Sequence, residues 1–157
     1  MGRDRFMGIL KKHNRLVVRK KKYYRTTDSN AWRKQFPNLI IGIIPCRPEQ
    51  IWVADITYFR TRKEGAVYGH LITDAYSKKI VGYHVSLDMK ASSSVESLNF
   101  ALENRYYNES LIHHSDRGSQ YCSAEYTGIL KKHKVNISMT QNGSPYDNAV
   151  AERVMVF

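Results

Sequence analysis

From residue 51 onward the hydrophobic pattern divides the chain into alternating and helical stretches. Residues 51–60, IWVADITYFR, are strong β-formers and predict a central strand. Alternation puts Ile51, Val53, Asp55, Thr57 and Phe59 on one face, with Trp52, Ala54, Ile56 and Tyr58 on the other. A polar turn at 61–65 leads into strands at 66–73 and 79–86, joined through 74–78 as a meander. Residues 91–105 carry Val95, Leu98 and Leu102 at helical spacing. A fourth strand is predicted at 111–114. A second helix at 123–133 has Ser123 as its cap and Tyr126, Ile129 and Leu130 facing inward. A fifth strand follows at 135–139.

The last element reads as a helix. Ser144 caps it, Pro145 fits its first turn, and Asp147 stands three residues after the cap. Val150, Val154 and Phe157 form its apolar stripe, with Glu152 roughly opposite and one turn beyond Asn148. Three strands, helix, strand, helix, strand, helix is an α/β order. It predicts a mixed five-stranded sheet flanked by helices, an antiparallel meander followed by crossover units.

Before residue 51 the pattern weakens. Phe6, Ile9 and Leu10 suit one helical turn, which Asn14 ends, and residues 16–18 suit a short strand. Residues 26–50 contain Pro37, Pro45 and Pro48, which block long elements. They read as a linker laid across the following domain, anchored by 39–44. The expected organisation is a basic tail (1–30), a linker (31–47) and a core (48–157).

Charge sharpens this division. Residues 1–47 hold 13 Lys/Arg against 2 acids, leaving 12 of each for residues 48–157. The whole excess of +11 therefore lies in a basic N-terminal arm. Its densest run is Arg19, Lys20, Lys21, Lys22 and Arg25, with Tyr23 and Tyr24 between them. Such a run suits phosphate contact, with the tyrosines packing on sugars or bases; a solvated linker is the plainer alternative. Cys46 and Cys122 fit no CxxC or Cys/His pattern, which argues against a disulfide framework or zinc site. No apolar run of about 18 residues suggests a membrane span. The expected location is cytoplasmic and associated with the nucleoid.

Three acids stand out by context. Asp55 lies inside a strand, where β-propensity disfavours it. Asp116 follows an apolar lead-in and is at once succeeded by the strand-breaking Arg117 and Gly118. Glu152 lies on a helix face away from the apolar stripe. With 12 acids after residue 47, some such triple is expected by chance, and spacing alone decides nothing. If the three meet, like charges repel unless a divalent cation binds them. Hard oxygen ligands suit Mg²⁺ or Mn²⁺. Two such ions about 4 Å apart support in-line phosphoryl transfer.

Four stretches, WVADITYF, LITDAYSKKIVGYHVS, LIHHSDRGSQYCSAEY and SPYDNAVAER, closely resemble the catalytic core of bacterial insertion-sequence transposases of the retroviral-integrase-like DDE class. The intervals are 60 residues between Asp55 and Asp116 and 35 between Asp116 and Glu152. The second interval is one that family shares with retroviral integrases. The resemblance spans about residues 48–154 and implies a ribonuclease H-like fold, with Asp55, Asp116 and Glu152 holding two Mg²⁺ or Mn²⁺ ions. It implies hydrolysis of a phosphodiester at an element end, then attack of the freed 3′-OH on another DNA strand. DNA and further copies of the chain, assembled on it, are the implied partners. Asn148 matches the motif and is expected to face the substrate. Residues 1–30 resemble the end of a helix-turn-helix region.

The same resemblance marks both ends as short, and the C-terminal helix as truncated soon after Glu152, as in a partial gene copy. A non-catalytic DNA-binding remnant and a standalone ribonuclease H-like nuclease are the competing readings. Among other residues, Asp74 suits turn capping better than metal binding, and His113 and His114 suit scaffolding better than zinc or base chemistry. Lys131, Lys132 and Lys134 fit DNA contact or ordinary helix-end solvation equally. Residues 140–143 suit a connector or a gate beside Glu152.

Overall fold

The computed structural model describes residues 2–13, 36–61 and 65–140. The expected strand at 16–18, the basic run from Arg19 to Arg25, and the helix carrying Asn148 and Glu152 lie outside the described residues. The elements run α1 (Arg3–Lys12), β1 (Ile51–Thr61), β2 (Gly65–Asp74), β3 (Ile80–Ser86), α2 (Ala91–Glu103), β4 (Ile112–Ser115), α3 (Ala124–Lys132) and β5 (Asn136–Met139). They form one sheet of order β3-β2-β1-β4-β5. β1–β2 and β2–β3 pair antiparallel, β1–β4 and β4–β5 parallel. This is the predicted meander followed by crossovers.

Alternation along β1 divides the core in two. Trp52 and Ala54 join Ile72, Leu98, Ala101, Tyr126 and Leu130 beneath α2 and α3. Ile51 and Val53 face the other way, onto Ile40 and Ala75. Each large side chain so buried contributes about 1.5–3 kcal/mol. α2 lies unusually close to β3: a Cβ on Gly82 would stand 2.5 Å from the Ser97 carbonyl oxygen and 2.9 Å from Ala101 Cβ. The small buried face of Ser93, Ser94, Ser97 and Ala101 makes that approach possible.

Boundaries shift where caps intervene. α2 stops at Glu103 rather than 105, because Asn104 folds back and donates from Nδ2 to the Phe100 carbonyl at 2.8 Å. Ser123 caps α3 as expected, accepting from the Tyr126 N–H. The anchor expected at 39–44 narrows to Ile40 and Ile43. A turn closed by the Ile43 N–H on the Ile40 carbonyl, with Gly42 at φ 74°, leaves Leu39, Ile41 and Ile44 exposed. Residues just before this turn run along β5: the Met139 N–H donates to the Pro37 carbonyl and the Leu39 N–H to Ser138 Oγ. Phe36 packs against the main core.

Candidate active site

Strand register sets the site. The parallel ladder pairs Ile51 with Ile112, Trp52 with His113 and Val53 with His114. Carrying that offset two residues further sets Asp55 opposite Asp116, on the face of Val53 and His114. The long sequence interval between the two acids is thus the offset of neighbouring strands. β4 ends at Ser115, so among the described residues the outer half of β1 has no strand on that side, and Asp55 is exposed despite its mid-strand position.

Asp116 sits in a tight turn. Its Oδ1 accepts the Gly118 N–H at 2.8 Å. The Gly118 carbonyl in turn accepts the N–H groups of Tyr121 and Cys122. A Cβ at Gly118 would meet the Gln120 amide and lie 2.9 Å from Asp116 Oδ1, so the turn has no room for a side chain there. Arg117 donates from Nε to the Thr140 carbonyl at 2.8 Å, and the Thr140 N–H donates to the Ser115 carbonyl. The chain therefore leaves β5 tied to the turn that holds Asp116.

Both carboxylates are open to solvent, yet the surrounding protein desolvates them. That burial raises the pKa of Asp55; the Ile56 N–H opposes the rise and the Asp116 charge adds to it. Burial likewise raises Asp116, against the Gly118 N–H. Tyr121, a hydrogen-bonding residue just past the break after Asp116, lies in the field of both. Burial pushes its hydroxyl well above the ordinary range, with further contributions from Tyr126, Asp116 and Asp55. Its place beside the turn is local, and the fold adds the nearness to Asp55.

The remaining candidates separate clearly. Asp74 is buried and accepts from the Glu49 and Ser77 N–H groups, as turn capping requires. His113 Nε2 meets the Tyr126 hydroxyl at 2.9 Å, and His114 Nδ1 meets Ser138 Oγ at 2.8 Å. Both rings are buried scaffolding. Burial, with His114 beside it, pushes His113 down to about 3. Lys131, Lys132 and Lys134 are exposed at the end of α3. Among the described residues no group of three His, Cys, Asp or Glu gathers closely enough to hold a metal ion. Of the triple, Asp55 and Asp116 come together; Glu152 lies outside the described residues, as do Asn148, Arg19, Lys20, Lys21, Lys22 and Arg25.

The family profile described as the integrase core domain matches residues 45–145. The chain belongs to the integrase core domain family. This integrase core is 39% identical over 153 residues to the insertion element IS600 uncharacterized 31 kDa protein of Shigella sonnei, covering 97% of this chain and 56% of the relative. It is 42% identical over 105 residues to transposase InsF for insertion sequence IS3A of Escherichia coli, covering 67% of this chain and 36% of the relative. The chain thus spans about half the length of the first relative and about a third of the second. The sheet and its helices are those of retroviral integrase cores. The HTLV-2 integrase catalytic core domain in complex with magnesium superimposes with a TM-score of 0.53 at 17% identity, covering 68% of this chain and 64% of that one. The simian T-cell lymphotropic virus intasome in complex with PP2A regulatory subunit B56 gamma gives 0.61 at 20% identity, covering 79% and 42%. The fold is ribonuclease H-like, as the sequence motifs imply.

Proposed function

We propose that this integrase core performs the chemistry of a DNA transposase: cleavage of phosphodiesters at element ends and joining of the freed 3′-OH to DNA. The observation that carries the reading is the nearness of Asp55 on β1 to Asp116 just past the end of the parallel strand β4, close enough for the Asp116 charge to act on Asp55, in a chain of the integrase core family. Glu152 is the third ligand in this reading. Thr140, tied to the Asp116 turn, starts the segment that leads to it. Two desolvated carboxylates, with the Asp116 charge adding to the rise in the Asp55 pKa, offer hard oxygens that fit Mg²⁺ or Mn²⁺. Two such ions, when bound, supply Lewis-acid activation of the attacking and leaving oxygens.

The chain's own contribution is placement. The β1–β4 register sets the separation of the two acids, and the Gly118 N–H fixes one Asp116 oxygen while leaving the other to face a ligand. Arg117 holds the turn to Thr140 and keeps it from drifting. DNA is the partner, gripped in this reading by Arg19, Lys20, Lys21, Lys22 and Arg25, with Asn148 facing the substrate. Oligomers of the chain assembled on DNA, and residence on the nucleoid, belong to the same proposal.

Supercoiled plasmid incubated with Mn²⁺ or Mg²⁺ tests the chemistry. The wild-type chain is expected to nick it, and Asp116→Asn to reduce the rate about 10²-fold or more, as loss of a transition-state charge ligand does. Nicking by Asp116→Asn at the wild-type rate would overturn the assignment.

A further inference from the structure

The end of the sheet opposite Asp55 and Asp116 is also a constructed surface. Four connections meet there: residues 47–50 leading into β1, 75–79 between β2 and β3, 104–111 between α2 and β4, and 133–135 between α3 and β5. Hydrogen bonds stitch them together. The Glu49 N–H donates to Asp74 Oδ1 at 3.0 Å, and the Glu49 carboxylate accepts the Tyr106 and Tyr107 N–H groups at 3.1 and 2.9 Å. Arg47 donates to the Ser110 carbonyl at 2.8 Å, and Asn136 Nδ2 to Ser110 Oγ at 3.2 Å. The result is one continuous face.

Its charge is one-sided. Lys78, Lys79, Lys132 and Lys134 are exposed, as is Lys131, whose ammonium stands 5.8 Å over the Phe36 ring. The acids here are largely occupied. Asp74 and Glu49 are buried within the stitching, and Glu109 is paired with Arg47 at 2.8 Å; Glu103 lies nearby in the last turn of α2. Three tyrosines stand among the cations, Tyr76, Tyr106 and Tyr107, with Tyr106 83% exposed. Basic groups interleaved with exposed aromatics suit a nucleic-acid backbone.

The backbone supplies a second observation. Lys78 and Lys134, like the buried Glu49 of the stitching at 54°, hold positive φ, 64° and 55°, in the left-handed region that crowds the Cβ of any residue but glycine. At Lys134 the geometry is that of a helix stop usually filled by glycine. The Val135 N–H reaches the Leu130 carbonyl at 2.9 Å and the Lys134 N–H the Lys131 carbonyl at 3.0 Å. Favourable placement at a helix C-terminus accounts for Lys131 and Lys132. It does not account for lysines where the backbone prefers glycine.

We propose that this end of the molecule is a second nucleic-acid-binding surface, gripping the phosphate backbone of duplex DNA away from the carboxylates. From Ile112 to Asp116 the chain advances about 13 Å at ~3.3 Å per residue. A phosphate held at this face is therefore not the one being cleaved, and the surface contributes grip rather than chemistry. The choice of DNA as ligand rests on the function proposed above; the binding measurement itself does not.

Fluorescence anisotropy of a labelled random-sequence duplex, titrated with the full chain over a NaCl series, provides the test. Lys78→Gly combined with Lys134→Gly relieves backbone strain, so the melting temperature should rise while DNA affinity falls. The log–log salt slope should shrink by about 0.9 for each phosphate that is no longer neutralised. Lys134→Arg should keep wild-type affinity, since it keeps the charge. Wild-type affinity and slope in the double glycine variant would overturn the proposal, and would point instead to an acidic protein or to plain solvation. The readout needs no cleavage, so it stands or falls separately from the Asp116→Asn result.

Discussion

At the scale of single residues, a buried histidine and the two site carboxylates act on stability with opposite sign. His113 is buried against Tyr126, and its pKa falls to about 3. The unfolded chain therefore takes up this proton first. Stability from His113 is complete above about 6.5, the unfolded value, and declines as pH falls toward 3, by up to ~1.4 kcal/mol per unit. The raised carboxylates Asp55 and Asp116 behave conversely: their contribution is present below the unfolded value of 3.8 and is lost as pH rises through their folded range. Urea midpoints measured between pH 3 and 7 should fall with acid in the wild type, and His113→Gln should flatten that fall; an unchanged slope would contradict the burial account. The Asp55–Asp116 pairing was legible in the sequence because a mid-strand acid and a strand-ending acid are each anomalous. The burial of Tyr121 near Asp55 and the hydrogen bond from Glu49 to Asp74 were not legible. Both arise from closure of the sheet, which leaves no local signature.

Two glycines separate packing from propensity at the scale of elements. Gly82 lies under α2, where a methyl group would strike the Ser97 carbonyl, whereas Gly128 on α3 has nothing within 4 Å of its would-be Cβ. Gly82→Ala should cost about 1–3 kcal/mol through overpacking. Gly128→Ala should stabilise by about 0.5–1 kcal/mol through reduced backbone entropy in the unfolded chain. Denaturant midpoints of the two variants should move in opposite directions. In the sequence both read merely as glycines within strand and helix. Element type and order were readable from periodicity; what periodicity missed were the ends, where a side chain such as Asn104 closes the helix on its own carbonyl. The stretch at 39–44 misled for a related reason. Its continuous apolar run suggests uniform anchoring, but the turn at Gly42 aims only Ile40 and Ile43 inward.

For the whole molecule, the mixed sheet followed from strand order, and the ribonuclease H-like architecture from the linked motifs. The segregation of charge within the core did not. Residues 48–157 are electrically balanced in sequence, yet the fold gathers lysines at one end of the sheet and the paired aspartates toward the other. A balanced count thus conceals a polar body. Sequence alone cannot reveal such an arrangement, because it depends on which connections meet in space.

The run of Phe36–Leu39 along β5 bears on where this unit begins. The family profile starts at residue 45, but the Pro37 carbonyl and the Leu39 N–H already occupy groups on the outer strand, and Phe36 covers the core beside it. A fragment cut at residue 45 would present β5 as a bare strand to any neighbour, the usual route to edge-to-edge association. Light scattering should show that fragment self-associating, while one starting before Phe36 stays dispersed at the same concentration. A short stretch outside the recognised domain would then decide whether the domain remains dispersed.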